Sequence, residues 1–151
     1  MVMIDLQNKT QPLQEINREM IKFAVTTTLA KFDRQEVDLT LRLTNNAEIH
    51  RLNLVFRSID NSTDVLSFNQ DFFNPETGRY YLGDIIISLD KAKQQAAENN
   101  QSIDEECAFL AIHGTLHLLE FDHDTQETKK EMWQIQEAIF ATVKKNFEEK
   151  M

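Results

Sequence analysis

A chain of 151 residues, 41% of them hydrophobic, has the size of one ordinary domain and enough apolar content for a core; its single cysteine excludes a disulfide framework. A net charge of −9 argues against broad, nonspecific affinity for nucleic acid, which cationic contacts to phosphate carry, while leaving room for a local basic cleft. No stretch approaches 18 uncharged apolar residues and Met1-Val2-Met3-Ile4-Asp5 lacks the features of a signal peptide, so a soluble, cytoplasmic protein without membrane contact is expected.

Residues 3–7 alternate as a short strand, and Pro12 marks a break. From 15 to about 32, Ile16, Met20, Phe23, Ala24, Leu29 and Phe32 recur at three- and four-residue steps, which predicts an amphipathic helix. Residues 36–43 alternate strictly, as a half-buried strand does. Asn45 with Glu48 makes a capping pair for a helix over about 46–56, where His50 reads as an ordinary surface histidine. After a polar loop come a β-prone run at 64–68, a loop or hairpin excursion at 69–78 with Pro75 and Gly78, and a strand at 79–88. Its run Ile85-Ile86-Ile87 implies burial on both faces.

Ser88 or Asp90 can cap a helix to about 98, and Ser102 with Glu105 forms a capping box for another. Between Cys107 and Leu119 nearly every position is apolar or small, the pattern of a helix enclosed by sheet and neighbouring helices, in which Cys107 serves as small buried packing. Asp124 with Glu127 resembles another capping box. It starts a final helix whose stripe of Met132, Ile135, Ile139, Val143 and Phe147, widened by Trp133 and Phe140, is expected to face the core. The sum is one α+β domain over residues 1–151, with a mixed sheet of about four strands packed with about five helices.

The enclosed helix also carries the chemistry. His113 and His117 stand four apart, so their imidazoles share one helix face, and His123 joins them only if the chain turns between Leu119 and His123. The spacing His-x3-His-x5-His is that of the longer zinc-protease signature, and three imidazoles leave one position open, as catalytic zinc sites do. Nickel or another first-row divalent ion suits the same donors. Such a site hydrolyses something: zinc acidifies water and polarises a carbonyl or phosphoryl oxygen. Zinc peptidases place a general-base glutamate directly after the first histidine, and Gly114 stands there instead, which favours a phosphodiester over a peptide bond. Asp122 could orient a histidine, act as a base or hydrogen-bond the turn. Acidic residues crowd the histidines from Glu105 to Glu131, so an anionic substrate needs a cation delivered from the first half of the chain, and Arg57 is the candidate.

Three blocks carry a resemblance. His113-Gly114-Thr115-Leu116-His117-Leu118, with Asp122 and His123, follows the pattern His-Gly-x-Leu-His-Leu-x-Gly-Tyr-Asp-His; Leu52-Asn53-Leu54-Val55-Phe56-Arg57 with Thr63-Asp64-Val65-Leu66-Ser67-Phe68 forms a second block, and Leu82-Gly83-Asp84-Ile85 a third. In these the chain resembles the YbeY family, bacterial single-strand-specific endoribonucleases. The resemblance implies a zinc ion held by His113, His117 and His123, with Arg57 engaging RNA phosphate, and a role in 16S rRNA 3′ end maturation and ribosome quality control. Its partners would be single-stranded rRNA and the ribosome or ribosome-associated proteins. A metallopeptidase-like hydrolase and a non-catalytic ribosome assembly factor with a metal-stabilised fold are the competing functions. Phe121 replaces the family tyrosine and Glu120 a glycine. If that glycine sits at positive φ, glutamate there costs roughly 1 kcal/mol or more; alternatively Glu120 brings a further carboxylate near the metal.

Overall fold

The computed structural model describes residues 3–121 and 125–148. Nine elements follow one another: β1 (Met3–Asn8), α1 (Arg18–Lys31), β2 (Val37–Thr44), α2 (Asn46–Arg57), β3 (Val65–Asn74), β4 (Arg79–Ser88), α3 (Leu89–Glu98), α4 (Ile103–Leu118) and α5 (Gln126–Glu148). The strands form one sheet in the order β1-β2-β4-β3. β1 and β4 both run parallel to β2, whereas β3 is antiparallel to β4. The architecture is the expected single α+β domain with a mixed four-stranded sheet and five helices.

Alternation decides which face each strand buries. Val37, Leu39, Leu41 and Leu43 of β2 join Ile85 and Ile87 of β4 in the main core, under α1, α3 and α4. Ile86 points the other way and meets Leu66 of β3 and Ile49 and Leu52 of α2, so the Ile85-Ile86-Ile87 run is buried on both faces. α5 closes a second core against α1 and α4 through Met132, Ile139, Phe140 and Val143. Asn45, Ser88 and Ser102 cap α2, α3 and α4 as their side-chain chemistry predicts, Ser102 with Glu105 in a complete capping box. Cys107 is fully buried in the main core, and burial pushes its thiol up to about 12, which leaves it a packing residue. His50 lies at the surface beside Asp60, 2.7 Å away.

Of the loop or hairpin open at 69–78 the structure takes the hairpin, and one expectation changes. β3 runs on to Asn74 and makes a hairpin with β4, so most of the stretch from 69 is strand; its polar Asn69-Gln70-Asp71 conceals this because a bulge there, with Asp71 at φ 50°, interrupts the alternation. Trp133 is 56% exposed although it shares the line of Phe140, seven residues on and buried. Both rings meet Phe109 edge to face, but Phe140 lies in the second core while Trp133 stands on the rim of a hollow between α4 and α5. The expected cap residue Asp124 lies outside the described residues; Thr125 and Thr128, whose hydroxyls and amides bond reciprocally at 3.1 Å, cap α5.

Candidate functional site

α4 approaches the sheet more closely than most helices can. A Cβ on Gly114 would lie 2.7 Å from Ile85 Cγ2 and 3.1 Å from Ser67 Oγ, so only glycine permits the contact. β3 then ties the helix down at two points. Ser67 Oγ donates to the Gly114 carbonyl at 2.9 Å, and Asn69 Nδ2 donates to the Leu118 carbonyl at 2.8 Å, near the end of the helix. Val65, Ser67 and Asn69 alternate onto this face of β3, and Leu66 and Phe68 onto the other, toward α2. The side of α4 that a zinc peptidase would furnish with its glutamate is therefore packed on the sheet.

One turn of α4 brings the two histidines together. Their ring centroids are 4.6 Å apart and their Nε2 atoms 3.0 Å apart. From α5, Gln136 reaches back to accept a hydrogen bond from His113 Nδ1 at 2.7 Å, which turns the Nε2 lone pair of that ring toward His117. Two nitrogens bound to one tetrahedral zinc at about 2.0–2.1 Å stand roughly 3.3 Å apart, so this pair is spaced as two such ligands are, and Gln136 occupies the place of the outer partner that metal-bound imidazoles need. Among the described residues no third His, Cys, Asp or Glu completes a group with them.

The helix stops where the third histidine requires it to. Phe121 N donates to the Leu116 carbonyl at 3.0 Å and Glu120 N to that of His117 at 2.9 Å, a Schellman ending with Glu120 left-handed at φ 72°. Glutamate thus occupies a conformation suited to glycine, and Phe121 packs its ring against Phe32 at 5.0 Å. The expected turn is present as far as Phe121. His123 and Asp122 lie outside the described residues.

Arg57 ends α2 on the opposite wall. Its Nη2 donates to the Ser67 carbonyl at 2.5 Å, and the guanidinium lies 5.1 Å from the centre of the Phe68 ring. Ser58 leaves the helix left-handed at φ 58°, and the following loop is anchored on buried Asn53, whose carbonyl accepts from Ile59 N and whose Nδ2 donates to the Asn61 carbonyl. Asn53 Oδ1 is buried and has no hydrogen-bond partner among the described residues. A cleft of about 630 Å³ separates the walls, lined by Arg57, Asn53 and Ser67 on one side and by His113, His117 and Glu120 on the other. Among its described lining residues Arg57 is the only cation, facing Asp64 and the exposed Glu120.

The structure thus brings Arg57, His113 and His117 to one cleft from elements far apart in sequence. Sequence reasoning passed over Ser67, Asn69 and Gln136. Gln136 had a signal: it is a polar residue breaking the apolar line of Met132, Ile139 and Val143, and such a residue needs a buried partner. Ser67 and Asn69 had none, because only the sheet register shows which way they point.

A family model described as Endoribonuclease YbeY matches residues 3–144. Similar proteins of that description include one from Roseiflexus castenholzii, 40% identical over 128 residues that make up 82% of this chain and 80% of that protein. Another, from Acetivibrio thermocellus, is 38% identical over an alignment 153 positions long, gaps included, that covers 92% of this chain and 93% of that protein. A third, from Clostridioides difficile, is 37% identical over 146 residues, with 92% and 93% covered. The solution structure of a Thermotoga maritima protein, 23% identical, aligns over 98% of this chain and 93% of that one with a TM-score of 0.63, a likeness of fold.

Proposed function

The chain belongs to the endoribonuclease YbeY family, and on that premise we propose that it is a zinc-dependent, single-strand-specific endoribonuclease whose cleft holds the scissile phosphodiester between Arg57 and the His113–His117 pair. The observation that carries the reading is the meeting of the two imidazoles, Nε2 to Nε2 at 3.0 Å, on the wall of a cleft whose only described cation is Arg57. His113 and His117 would hold the metal, with His123 as the third donor. Zinc bound there supplies a Lewis acid to a phosphoryl oxygen and acidifies water at neutral pH. Arg57 offers a planar fork to the phosphate and to the charge that grows on it, Gln136 keeps His113 oriented, and Glu120 or Asp122 is placed in sequence to take a proton.

In the cell the substrate is rRNA: 16S 3′ end maturation and ribosome quality control, in the cytoplasm, with the ribosome or ribosome-associated proteins as partners. A net charge of −9 supports docking to such a partner, more than bulk RNA affinity, as the source of selection. A steep fall of RNA affinity with salt for the isolated protein would contradict this. No helix among the described residues is long and apolar enough to cross a membrane. The peptidase reading has no room for its base at Gly114.

The deciding experiment incubates zinc-loaded protein with single-stranded rRNA beside a His117→Ala variant of checked fold. Cleavage by the wild type alone, lost on chelation, is expected. Equal cleavage by both would remove the histidines from the chemistry, and silence in both with a large fall in melting temperature on chelation would favour an assembly factor in which the metal serves the fold.

A further inference from the structure

A second hollow, of about 300 Å³, opens between α4 and α5 on the other side of His113. Its walls are two helical stripes. Glu106, Phe109 and His113 recur along α4 at steps of three and four, and Lys129, Trp133 and Gln136 along α5 in the same way, so the hollow is a groove between facing helix surfaces. Asp64 and His113 line both this groove and the cleft, so the two hollows share a wall.

We propose that this groove is a stacking subsite for one unpaired nucleobase of the RNA, with Trp133 as its platform, beside the site where the phosphodiester is cut; the proposal rests on the endoribonuclease reading. Trp133 is the reason to look. It is 56% exposed and meets Phe109 edge to face at 6.1 Å, so more than half of the indole is open on the groove side of that contact. An exposed large aromatic pinned by a second ring is how single strands are held without sequence preference, because every base has a π-face.

Charge selects the base over other parts of the nucleotide. Asp64 stands in the wall and would repel a phosphate, while an uncharged base meets no such penalty. The amides of Gln95, whose Nε2 donates to Asp64 at 3.2 Å, and of Asn99 line the groove and offer its polar edge donors and acceptors, and Lys129, exposed on the α5 stripe, is placed for the phosphate outside. A volume of about 300 Å³ suits one small planar group and not a segment of folded protein. A base seated there also contacts the helix faces that carry His113 and Gln136, which bears on single-strand specificity: a paired base enters only at the cost of its pairing and stacking.

Trp133 is the only tryptophan of the chain, so intrinsic fluorescence reads the site directly. Full-length, zinc-loaded protein is titrated with short single-stranded RNA, with the same RNA made abasic at successive positions, and with adenosine monophosphate and ribose 5-phosphate separately. Quenching by RNA and by the nucleotide is expected, with none from ribose phosphate and a loss at one abasic position. In cleavage assays Trp133→Ala should raise KM about tenfold or more with kcat changed far less, and Trp133→Phe should restore most of the affinity, which a packing role at an exposed position would not require. RNA that is bound and cut with no fluorescence change and an unaltered KM in Trp133→Ala overturns the subsite while leaving the nuclease intact. A Trp133→Ala defect confined to ribosome cosedimentation overturns it in favour of a protein contact. If the wild type cuts no RNA, the nuclease reading fails separately, and the nucleotide titration still decides whether Trp133 takes a base.

Discussion

On one wall of the cleft, His113 and His117 stand on a helix packed so tightly on the sheet that Gly114 cannot carry a side chain, tied by Ser67 and Asn69 and oriented by buried Gln136. On the other, Arg57 sits at the end of α2 beside Val55 and Phe56, 62% and 66% exposed, and is fixed by one carbonyl and one ring. The first wall has little freedom, as the proposed ligation of one ion by both imidazoles would require. The second uses one of the guanidinium's donors among the described residues, and in the proposed role, following a phosphate from ground state to transition state, the side chain would need the reach that remains. Both walls meet at Ser67, whose carbonyl receives Arg57 and whose hydroxyl holds α4.

Substitutions on the two walls should therefore fail differently. If Arg57 meets the phosphate as proposed, Arg57→Ala removes the cation that answers its developing charge and is expected to lower kcat on single-stranded RNA by about 10²–10³-fold. Its melting temperature should stay near wild type, because an exposed side chain with one hydrogen bond contributes little to stability. A large drop in melting temperature would show that Arg57 is part of the scaffold and break the contrast. Gly114→Ala should show the reverse pattern. Its methyl would press into Ile85 and Ser67, a strain of about 1–3 kcal/mol. That corresponds to a fall of roughly 3–10 °C in melting temperature. An alanine variant as stable as the wild type would mean that the helix can lift off the sheet, and the histidine wall would then be no firmer than the arginine wall.

Gln136→Met sharpens the comparison inside the firm wall. Methionine fills the space of glutamine without accepting from His113 Nδ1, so the expected loss is in metal affinity, about 10- to 100-fold, measured by competition with a chelator. An unchanged affinity would show that packing alone orients His113.

The same division separates what could be read from the sequence and what could not. Strict alternation in β2, the Ile85-Ile86-Ile87 run and the side-chain caps of α2, α3 and α4 are local patterns, and each appears in the structure where its residues indicate. The pairing of His113 with His117 is equally local, one helical turn. Arg57 could be named as the needed cation from charge distribution, but the carbonyl that receives it follows from β3 register. The stretch 69–78 was open between a loop and a hairpin, and the hairpin could not be chosen from sequence because the bulge at Asp71 breaks the period that would announce a strand. Trp133 was misplaced for a related reason: helical phase predicts which line a residue occupies, and only the neighbouring helix determines whether that line is covered at its end.

Glu120 tests how far the firm wall extends. The Schellman ending demands a left-handed residue there, and the amide bonds to Leu116 and His117 carbonyls are made despite the Cβ that glutamate brings. Tertiary packing of Phe121 on Phe32 therefore holds the turn against a local preference of about 1 kcal/mol. Glu120→Gly should relieve that strain and raise the melting temperature by roughly 2–4 °C. It also removes a carboxylate from the cleft, so cleavage separates the two roles open to it. A gain in stability with unchanged or faster cleavage makes Glu120 a strained turn residue whose charge does nothing or opposes the phosphate. A gain in stability with kcat lowered and its pH profile altered makes it the proton acceptor that Gly114 cannot be, kept in a costly conformation because the chemistry uses its carboxylate.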